Sequence, residues 1–141
     1  MFPPGFQHRV VDERDARGSL EVYVTPPDFC VTVARGHLTS LMARCWIETV
    51  DPHFRRGAIF RTFHDWEALA SYDSNARRLL TTWLLANTKN VATADFLVSS
   101  KLVAMGVSAA NLMTTIAGLT MTAHTARTPF EEAHRAALRP R

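Results

Sequence analysis

The fold of this chain is decided by the stretch AIFRTFHDWEALASYDSNARRLLTTWLL, residues 58–85. Its apolar run at 58–63 predicts a β-strand that leads to Asp65, and the pair Asp73-Ser74 precedes an apolar stripe at helical spacing. The stretch therefore predicts a strand, a short crossing and a helix that begins near Asp73. There the Ser74 hydroxyl would lie over unpaired N–H groups at the positive end of a helix dipole. That position suits either a phosphate or an ordinary helix cap.

The flanking sequence continues the alternation of strands and helices. The predicted strands are 20–25, 29–35, 58–63, 92–98 and 119–124, and the predicted helices are 39–50, 73–88, 101–112 and one that begins at Thr128. The order ββαβαβαβα predicts an α/β fold, with a mixed, mainly parallel five-stranded sheet and helices packed on it. Residues 1–18 are predicted to be a flexible N-terminal extension, and residues 19–141 to be the domain.

Composition and charge narrow the function. The 141 residues suit one domain, and acids and bases are mixed along the chain to a net charge of +3. There is no basic stripe, so no nucleic-acid partner is expected. Cys30 and Cys45 lack CxxC spacing and are expected to be free thiols. The first residues do not have a signal-peptide pattern, and a cytoplasmic location is expected.

The segment 102–126 contains no Asp, Glu, Lys or Arg, which raises the question of a membrane span. Polar residues interrupt the segment, and Gly106 and Gly118 divide it. The apolar period also changes near Gly118. We therefore expect a core helix followed by a strand, and no membrane span.

This order of elements, with Asp65 and Asp73-Ser74 at these places, resembles the STAS domain of sulfate transporters and bacterial anti-sigma-factor antagonists. The resemblance covers about residues 19–139. Residues 31–38 look like the family's strand–glycine–helix entry, and Asp65 stands where the family usually has an acid at the end of its central strand. Asp73-Ser74 stands where many members carry an Asp-Ser pair whose serine is phosphorylated by a partner kinase. Here Asn75-Ala76 follows the pair, where the phosphorylated form usually has a glycine.

The resemblance implies a non-catalytic regulatory module that binds a protein partner, such as a kinase-type anti-sigma factor, and that is switched by phosphorylation at Ser74. A phosphate would add about −1.5 to −2 charge, which nearby arginines would screen. Two simpler alternatives stay open, namely that Asp73 or Ser74 only caps the helix and that Trp66 is half-buried. The candidate partner-binding residues are His37, Asp65, Trp66, Asp73, Asn75, Arg77 and Arg78.

The remaining motifs favour a protein without catalytic activity. The chain has no P-loop and no GxGxxG, HExxH or GxSxG motif, and no nucleophile–base constellation is visible in it. The histidines show no ligand-type spacing, so neither a metal nor another cofactor is expected. Two alternative functions remain. One is binding of a small apolar or lipid-like ligand, which needs an enclosed cavity of roughly 300 Å³ or more. The other is an unswitched structural homodimer.

Overall fold

One mixed sheet with helices on both faces is formed by residues 9–25 and 28–138, the part of the chain that the computed structural model describes. Within these residues the sheet has seven strands, and four α-helices pack on it. A 3₁₀ turn at Thr88–Asn90 precedes the sixth strand. In chain order the elements are β1 (Arg9–Arg14), β2 (Gly18–Thr25), β3 (Phe29–Leu38), α1 (Ser40–Arg55), β4 (Phe60–Trp66), β5 (Leu69–Tyr72), α2 (Ser74–Ala86), β6 (Val91–Val98), α3 (Lys101–Ile116), β7 (Met121–His124) and α4 (Arg127–Leu138).

The strands lie in the order β1-β2-β3-β4-β6-β7, and β5 pairs with the last residues of β3. The neighbours β1, β2 and β3 are antiparallel, whereas β3, β4, β6 and β7 run parallel to one another. The sequence predicts that strands 20–25 and 29–35 form a hairpin with a turn at Pro26-Pro27. Their antiparallel pairing and the mixed, mainly parallel sheet are confirmed, whereas Pro26 and Pro27 lie outside the described residues.

The sheet contains two strands more than the five that the sequence predicts, and these are β1 and β5. Strand β1 falls within the predicted extension 1–18, yet its backbone pairs with β2 from Arg9 opposite Tyr23 to Arg14 opposite Ser19. An edge strand is held by backbone hydrogen bonds to its neighbour, so a mixed-charge sequence does not prevent pairing. The sheet thus begins before the predicted domain start at residue 19, and residues 1–8 lie outside the described residues.

Each face of the sheet buries its own apolar cluster. Helices α1, α2 and α3 cover one face, where Trp46, Leu80 and Val107 contribute one side chain from each helix. Helix α4 covers the other face, where Phe130 packs with Phe63 and Leu97. The central strands are therefore covered on both sides, which explains why β4 and β6 are buried almost continuously toward their carboxyl ends.

The uncharged segment 102–126 divides into α3 and β7, as predicted. Gly118 separates them at a φ of 99°, a left-handed conformation that glycine adopts without strain. The next N–H, that of Leu119, donates to the Thr114 carbonyl at 2.8 Å and closes the end of the helix. Among the residues that the structure describes, no helix has the length and apolar character needed to cross a bilayer.

Candidate functional site

The candidate site lies at the edge of the sheet where the carboxyl ends of parallel strands meet the amino ends of α1, α2 and α3. Thr39 caps α1 by accepting a hydrogen bond from the Met42 N–H at 3.2 Å. Ser100 caps α3 in the same way through the Val103 N–H at 3.3 Å, and its hydroxyl donates to the Ala70 carbonyl of β5. Ligands of α/β proteins generally bind at this edge, because loops and helix N-termini converge there.

A connected group of polar side chains joins β3, β5, α1 and α2 at this edge. The His37 ring lies between two partners, with Ser71 Oγ at 2.7 Å from Nδ1 and Asp73 Oδ1 at 2.7 Å from Nε2. The other Asp73 oxygen accepts the Ser40 backbone N–H at 3.2 Å, and Asn75 Nδ2 donates to Ser40 Oγ at 3.1 Å. We call these five residues, His37, Ser40, Ser71, Asp73 and Asn75, the polar cluster.

An irregular pairing of β3 with β5 places His37 in the polar cluster. The register shifts between Gly36, which lies opposite Leu69, and His37, which lies opposite Ser71. Such a bulge re-aims the side chain that follows it. Gly36 makes it possible because its φ of 72° is the left-handed conformation that other residues adopt only with strain.

Asp73 occupies the N-cap position of α2 but does not cap that helix through its side chain. Its carboxylate turns toward α1 instead. The hydrogen bond from His37, followed by that from the Ser40 N–H, holds the pKa of Asp73 below its usual value. The carboxylate is therefore ionised at neutral pH, and it takes no hydrogen bond from the first-turn N–H groups of α2.

The exposed side chains of the first turns of α2 lie beside this cluster. Ser74 is exposed at the first residue of the helix, which is the placement that a phosphoacceptor requires. Arg77 and Arg78 are exposed one turn later, and Arg78 donates to Asn75 Oδ1 at 2.8 Å. The structure thus brings five predicted site residues together at one surface: His37, Asp73, Asn75, Arg77 and Arg78 around Ser74.

Asp65 and Trp66, also predicted for partner binding, are buried, each with an exposed fraction of 7%. Both Asp65 oxygens accept from Arg127 of α4, at 3.1 and 3.0 Å, and Arg127 also reaches Glu67 at 2.9 Å. Trp66 Nε1 donates to Thr32 Oγ1 at 3.0 Å, on the face of the sheet that α1, α2 and α3 cover. The sequence predicts a strand that ends at Asp65 with Trp66 just before a loop, but β4 continues to Trp66, where β6 still pairs with it. Neither side chain is presented to a partner.

Buried His64 shares the Thr32 hydroxyl with Trp66. Its Nδ1 lies 2.7 Å from Thr32 Oγ1, and its ring stacks on Phe96 at 4.4 Å between centroids. Burial lowers the pKa of His64 to about 3, so the ring is neutral at physiological pH. The ring is only 2% exposed and therefore contributes to the core rather than to surface chemistry.

Two residues of the polar cluster, Ser40 and Ser71, were not predicted from the sequence. Ser71 was missed because the residues between Asp65 and Asp73 are predicted to be a short crossing, which hid the four-residue strand β5. One signal was available: Ser71 and Asp73 are spaced i, i+2, which places both side chains on one side of an extended chain. Together with His37 they form a hydrogen-bonded Ser–His–Asp series, which no local sequence pattern predicts.

The interior contains a small apolar cavity between α2, α3 and the sheet. Its volume is about 50 Å³, and its walls include Trp46, Leu80, Phe96 and Val107. An enclosed ligand site is typically at least roughly 300 Å³, so this cavity is too small for a lipid-like molecule. None of the polar-cluster residues lines it. Within residues 9–25 and 28–138, no group of three or more His, Cys, Asp or Glu side chains is arranged to hold a metal ion.

No family model matches this chain, and no curated protein matches it. A solved structure is similar: the crystal structure of an uncharacterized protein from the DUF3478 family, with a SpoIIAA-like fold, from Shewanella loihica PV-4. The two superpose with a TM-score of 0.59 over 86% of this chain and 97% of that chain, at 12% sequence identity. This chain therefore has the SpoIIAA-like, or STAS, fold that its sequence predicts. At this identity the likeness shows the fold alone.

Proposed function

We propose that this protein is a non-catalytic regulatory module that binds a protein partner at the first turn of α2, and that Ser74 is its phosphoacceptor. One observation carries the proposal: Asp73 holds the N-cap position, yet its side chain does not cap α2. An ordinary capping pair would direct a side-chain oxygen to the first-turn N–H groups. Here those groups receive no cap from Asp73, while Ser74 stands exposed beside them.

The charges around Ser74 suit a phosphate. A phosphoserine carries about −1.5 to −2 charge, which the positive end of a helix dipole stabilises. Asp73 would otherwise repel it, but its carboxylate accepts hydrogen bonds from His37 and from the Ser40 N–H. Arg77 and Arg78 lie exposed one turn further along α2, within reach of the same surface.

The resemblance to anti-sigma-factor antagonists suggests a kinase-type anti-sigma factor as the partner. The partner would contact the exposed first turns of α2 and the half-buried His37 and Asn75. A phosphate at Ser74 would place added negative charge in that interface and weaken binding, because interface centres tolerate few charges. Asp65 and Trp66 would act from beneath, by fixing the carboxyl end of β4.

The proposal places the protein in the bacterial cytoplasm. Cys30 is a buried free thiol, and burial raises its pKa to about 12. Cys45 is likewise not in a disulfide. Free thiols are usual where the compartment is reducing.

The proposal is tested with Ser74→Ala and Ser74→Asp in affinity capture from an extract of the source cells. Thr82→Asp is the matched control, since Thr82 is also exposed on α2 but lies two turns further on. We expect one partner to be recovered with wild type, Ser74→Ala and Thr82→Asp, and to be depleted at least about tenfold with Ser74→Asp. Equal recovery with all four proteins would contradict the switch. Mass spectrometry of the protein from these cells should find phosphate on the peptide that contains Ser74.

The Ser71–His37–Asp73 series provides the sharpest test of the non-catalytic part of the proposal. The same order of groups activates a serine in hydrolases, where a substrate pocket and an oxyanion hole accompany it. The cavity in the fold does not open on Ser71, and its walls are apolar. We therefore expect a fluorophosphonate probe to leave Ser71 unlabelled. Labelling that is lost in both Ser71→Ala and His37→Ala would contradict the proposal and indicate a serine hydrolase.

A further inference from the structure

Helix α3 is apolar on two faces, but the described structure covers only one of them. Its inner face, which includes Val103, Val107 and Ala110, packs into the core. Its outer face exposes large apolar side chains, with exposed fractions from 49% at Leu102 to 89% at Ile116. A helix that is apolar all round is normally buried all round. We call the outer face the outer stripe: Leu102, Met105, Ala109, Leu112, Met113 and Ile116.

The outer stripe has the spacing of a helix–helix seam. Leu102, Met105, Ala109, Leu112 and Ile116 follow one another by steps of three, four, three and four residues. These are the a and d positions of a heptad repeat, which pack knobs into holes against another helix. Residues on one face of any α-helix follow steps of three and four, so the mark of this stripe is that its exposed positions carry large apolar side chains, which a second helix could contact.

The stripe is also symmetric in size about its middle residue. Ala109 is small, and Leu102 and Met105 precede it at the same distances, seven and four residues, at which Ile116 and Met113 follow it. If a second α3 packs antiparallel with Ala109 facing Ala109, then Leu102 meets Ile116 of the second copy and Met105 meets its Met113. An interface with a two-fold axis requires this kind of self-complementarity. A different partner would not require the symmetry.

From this geometry we infer that the outer stripe is the interface of a homodimer, in which two copies of α3 pack antiparallel about a two-fold axis at Ala109. Five large side chains that are 49–89% exposed form the patch, and the largest apolar patch of a typical monomer covers about 300–600 Å². Burying a patch at the upper end of that range from both copies would remove on the order of 1,200 Å² of surface, the lower end for specific interfaces.

The charges near the stripe fit a second copy. No Asp, Glu, Lys or Arg lies between residues 102 and 126, so two identical stripes meet without like-charge repulsion. Lys101, exposed at the first residue of α3, would lie beside the carboxyl end of the partner helix, where the helix dipole is negative. In an antiparallel pair this contact forms twice, once at each end.

The inference is independent of the proposed function, because the outer stripe and Ser74 lie on different helices. It is tested by sedimentation velocity of the full chain between about 1 and 100 µM. We expect a monomer–dimer equilibrium for wild type. Leu112→Glu should raise the dimer dissociation constant at least about tenfold, since a charge enters the seam. Ile59→Glu is the matched control, because Ile59 is also exposed but lies outside α3, and it should leave the constant unchanged.

The two-fold axis is tested by cross-linking and by charge pairing. Ala109→Cys should give an interchain disulfide under mild oxidation, whereas Ser108→Cys, which points about 100° away around the helix, should give little. Because residue 105 faces residue 113 of the second copy, Met105→Lys and Met113→Glu should each be monomeric alone and should dimerise when mixed.

Three results would overturn the inference. The first is a wild-type monomer over the whole concentration range. The second is a dimer that Leu112→Glu leaves intact. The third is a monomer that floats with phosphatidylcholine–phosphatidylglycerol vesicles and loses this binding in Leu112→Glu, which would make a lipid surface the occupant. Thermal unfolding of each variant shows that the fold is retained.

Discussion

The polar cluster and the outer stripe of α3 are both on the surface, but they differ in whether their side chains find partners within the described structure. In the polar cluster the side chains satisfy one another, as His37 does with Ser71 and Asp73. In the outer stripe Met105 and Leu112 are 68% and 73% exposed, and apolar side chains such as these are stabilised when they are buried against other apolar groups. The cluster is thus organised within one chain, whereas the stripe is organised for contact with another.

The difference suggests a division of roles. A surface that is already organised can be altered by one added charge, as phosphorylation would do at Ser74. An apolar stripe without ionisable groups cannot be altered in this way, and it suits a permanent contact. A dimer built on α3 would therefore present two copies of the α2 surface, and binding at one surface would not require the dimer to dissociate.

The largest effect is expected where the backbone builds the polar cluster. In Gly36→Ala the added Cβ would lie 2.2 Å from the Arg17 carbonyl oxygen, at a φ of 72°. The clash and the strain should lower the free energy of unfolding by about 3 kcal/mol or more. Gly57→Ala is the control, since Gly57 also has a positive φ but open space around it, and it should cost only ~1 kcal/mol. Urea denaturation measures both, and equal losses would contradict the role of the Gly36 contact.

The second-largest effect is expected in the pH dependence of stability, through the buried His64. His64 titrates near 6.5 in the unfolded chain but near about 3 when folded, because burial disfavours its charged form. As the pH falls from about 6.5 toward 3, the unfolded chain binds a proton that the folded chain refuses, so stability is lost over that window. The loss from His64 should reach about 2 kcal/mol at pH 5.

Urea denaturation at several pH values checks this prediction. His64→Gln cannot titrate and should have a shallower fall in stability between pH 6.5 and 4. Thr32→Val removes the hydroxyl beside His64 but keeps the imidazole, so its stability should be lower throughout while the pH dependence remains. The same slope in wild type and His64→Gln would show that other groups carry the acid sensitivity.

A smaller effect is expected from salt, which should weaken binding at the α2 surface more than it weakens the dimer. The outer stripe contains no charged residue, so raising the salt from about 0.1 to 0.5 M should change the dimer dissociation constant less than about threefold. The proposed partner binding at α2 would involve Arg77 and Arg78 and should therefore weaken more over the same range. Sedimentation and affinity capture at the two salt concentrations measure the contrast. A dimer that dissociates in high salt would contradict an apolar seam.

The smallest effect is expected for the stability of Ser74→Ala. Ser74 is the first helical residue and not the N-cap, so its removal should change the free energy of unfolding by no more than about 0.5 kcal/mol. Asp73→Ala, by comparison, also removes the contacts with His37 and Ser40 and should destabilise the protein more. Thermal denaturation ranks the two variants. A large loss in Ser74→Ala would indicate a structural role for its hydroxyl.

Elements with strong periodicity were predictable from the sequence. The two strands of the hairpin and α3 each bury a regular apolar pattern, and Ser74 was correctly placed at the start of α2. Strand β5 was not predictable, because four residues are too few to show a period and β5 depends on pairing with β3. The burial of Asp65 depends on Arg127, a contact across 62 positions of sequence. No local pattern carries such information.

The cover that α4 provides has a consequence for the synthesis of the protein. Phe63 and Leu97 face the side of the sheet that α4 covers, and Phe130 of that helix completes their cluster. A ribosome that adds roughly 5–20 residues per second reaches Leu138 several seconds after Leu97. During that interval one apolar face of the nascent sheet is exposed to solvent. Chaperones that bind apolar chain segments would have the greatest access to this protein during that interval. The interval would end when α4 docks on the sheet and Arg127 pairs with Asp65.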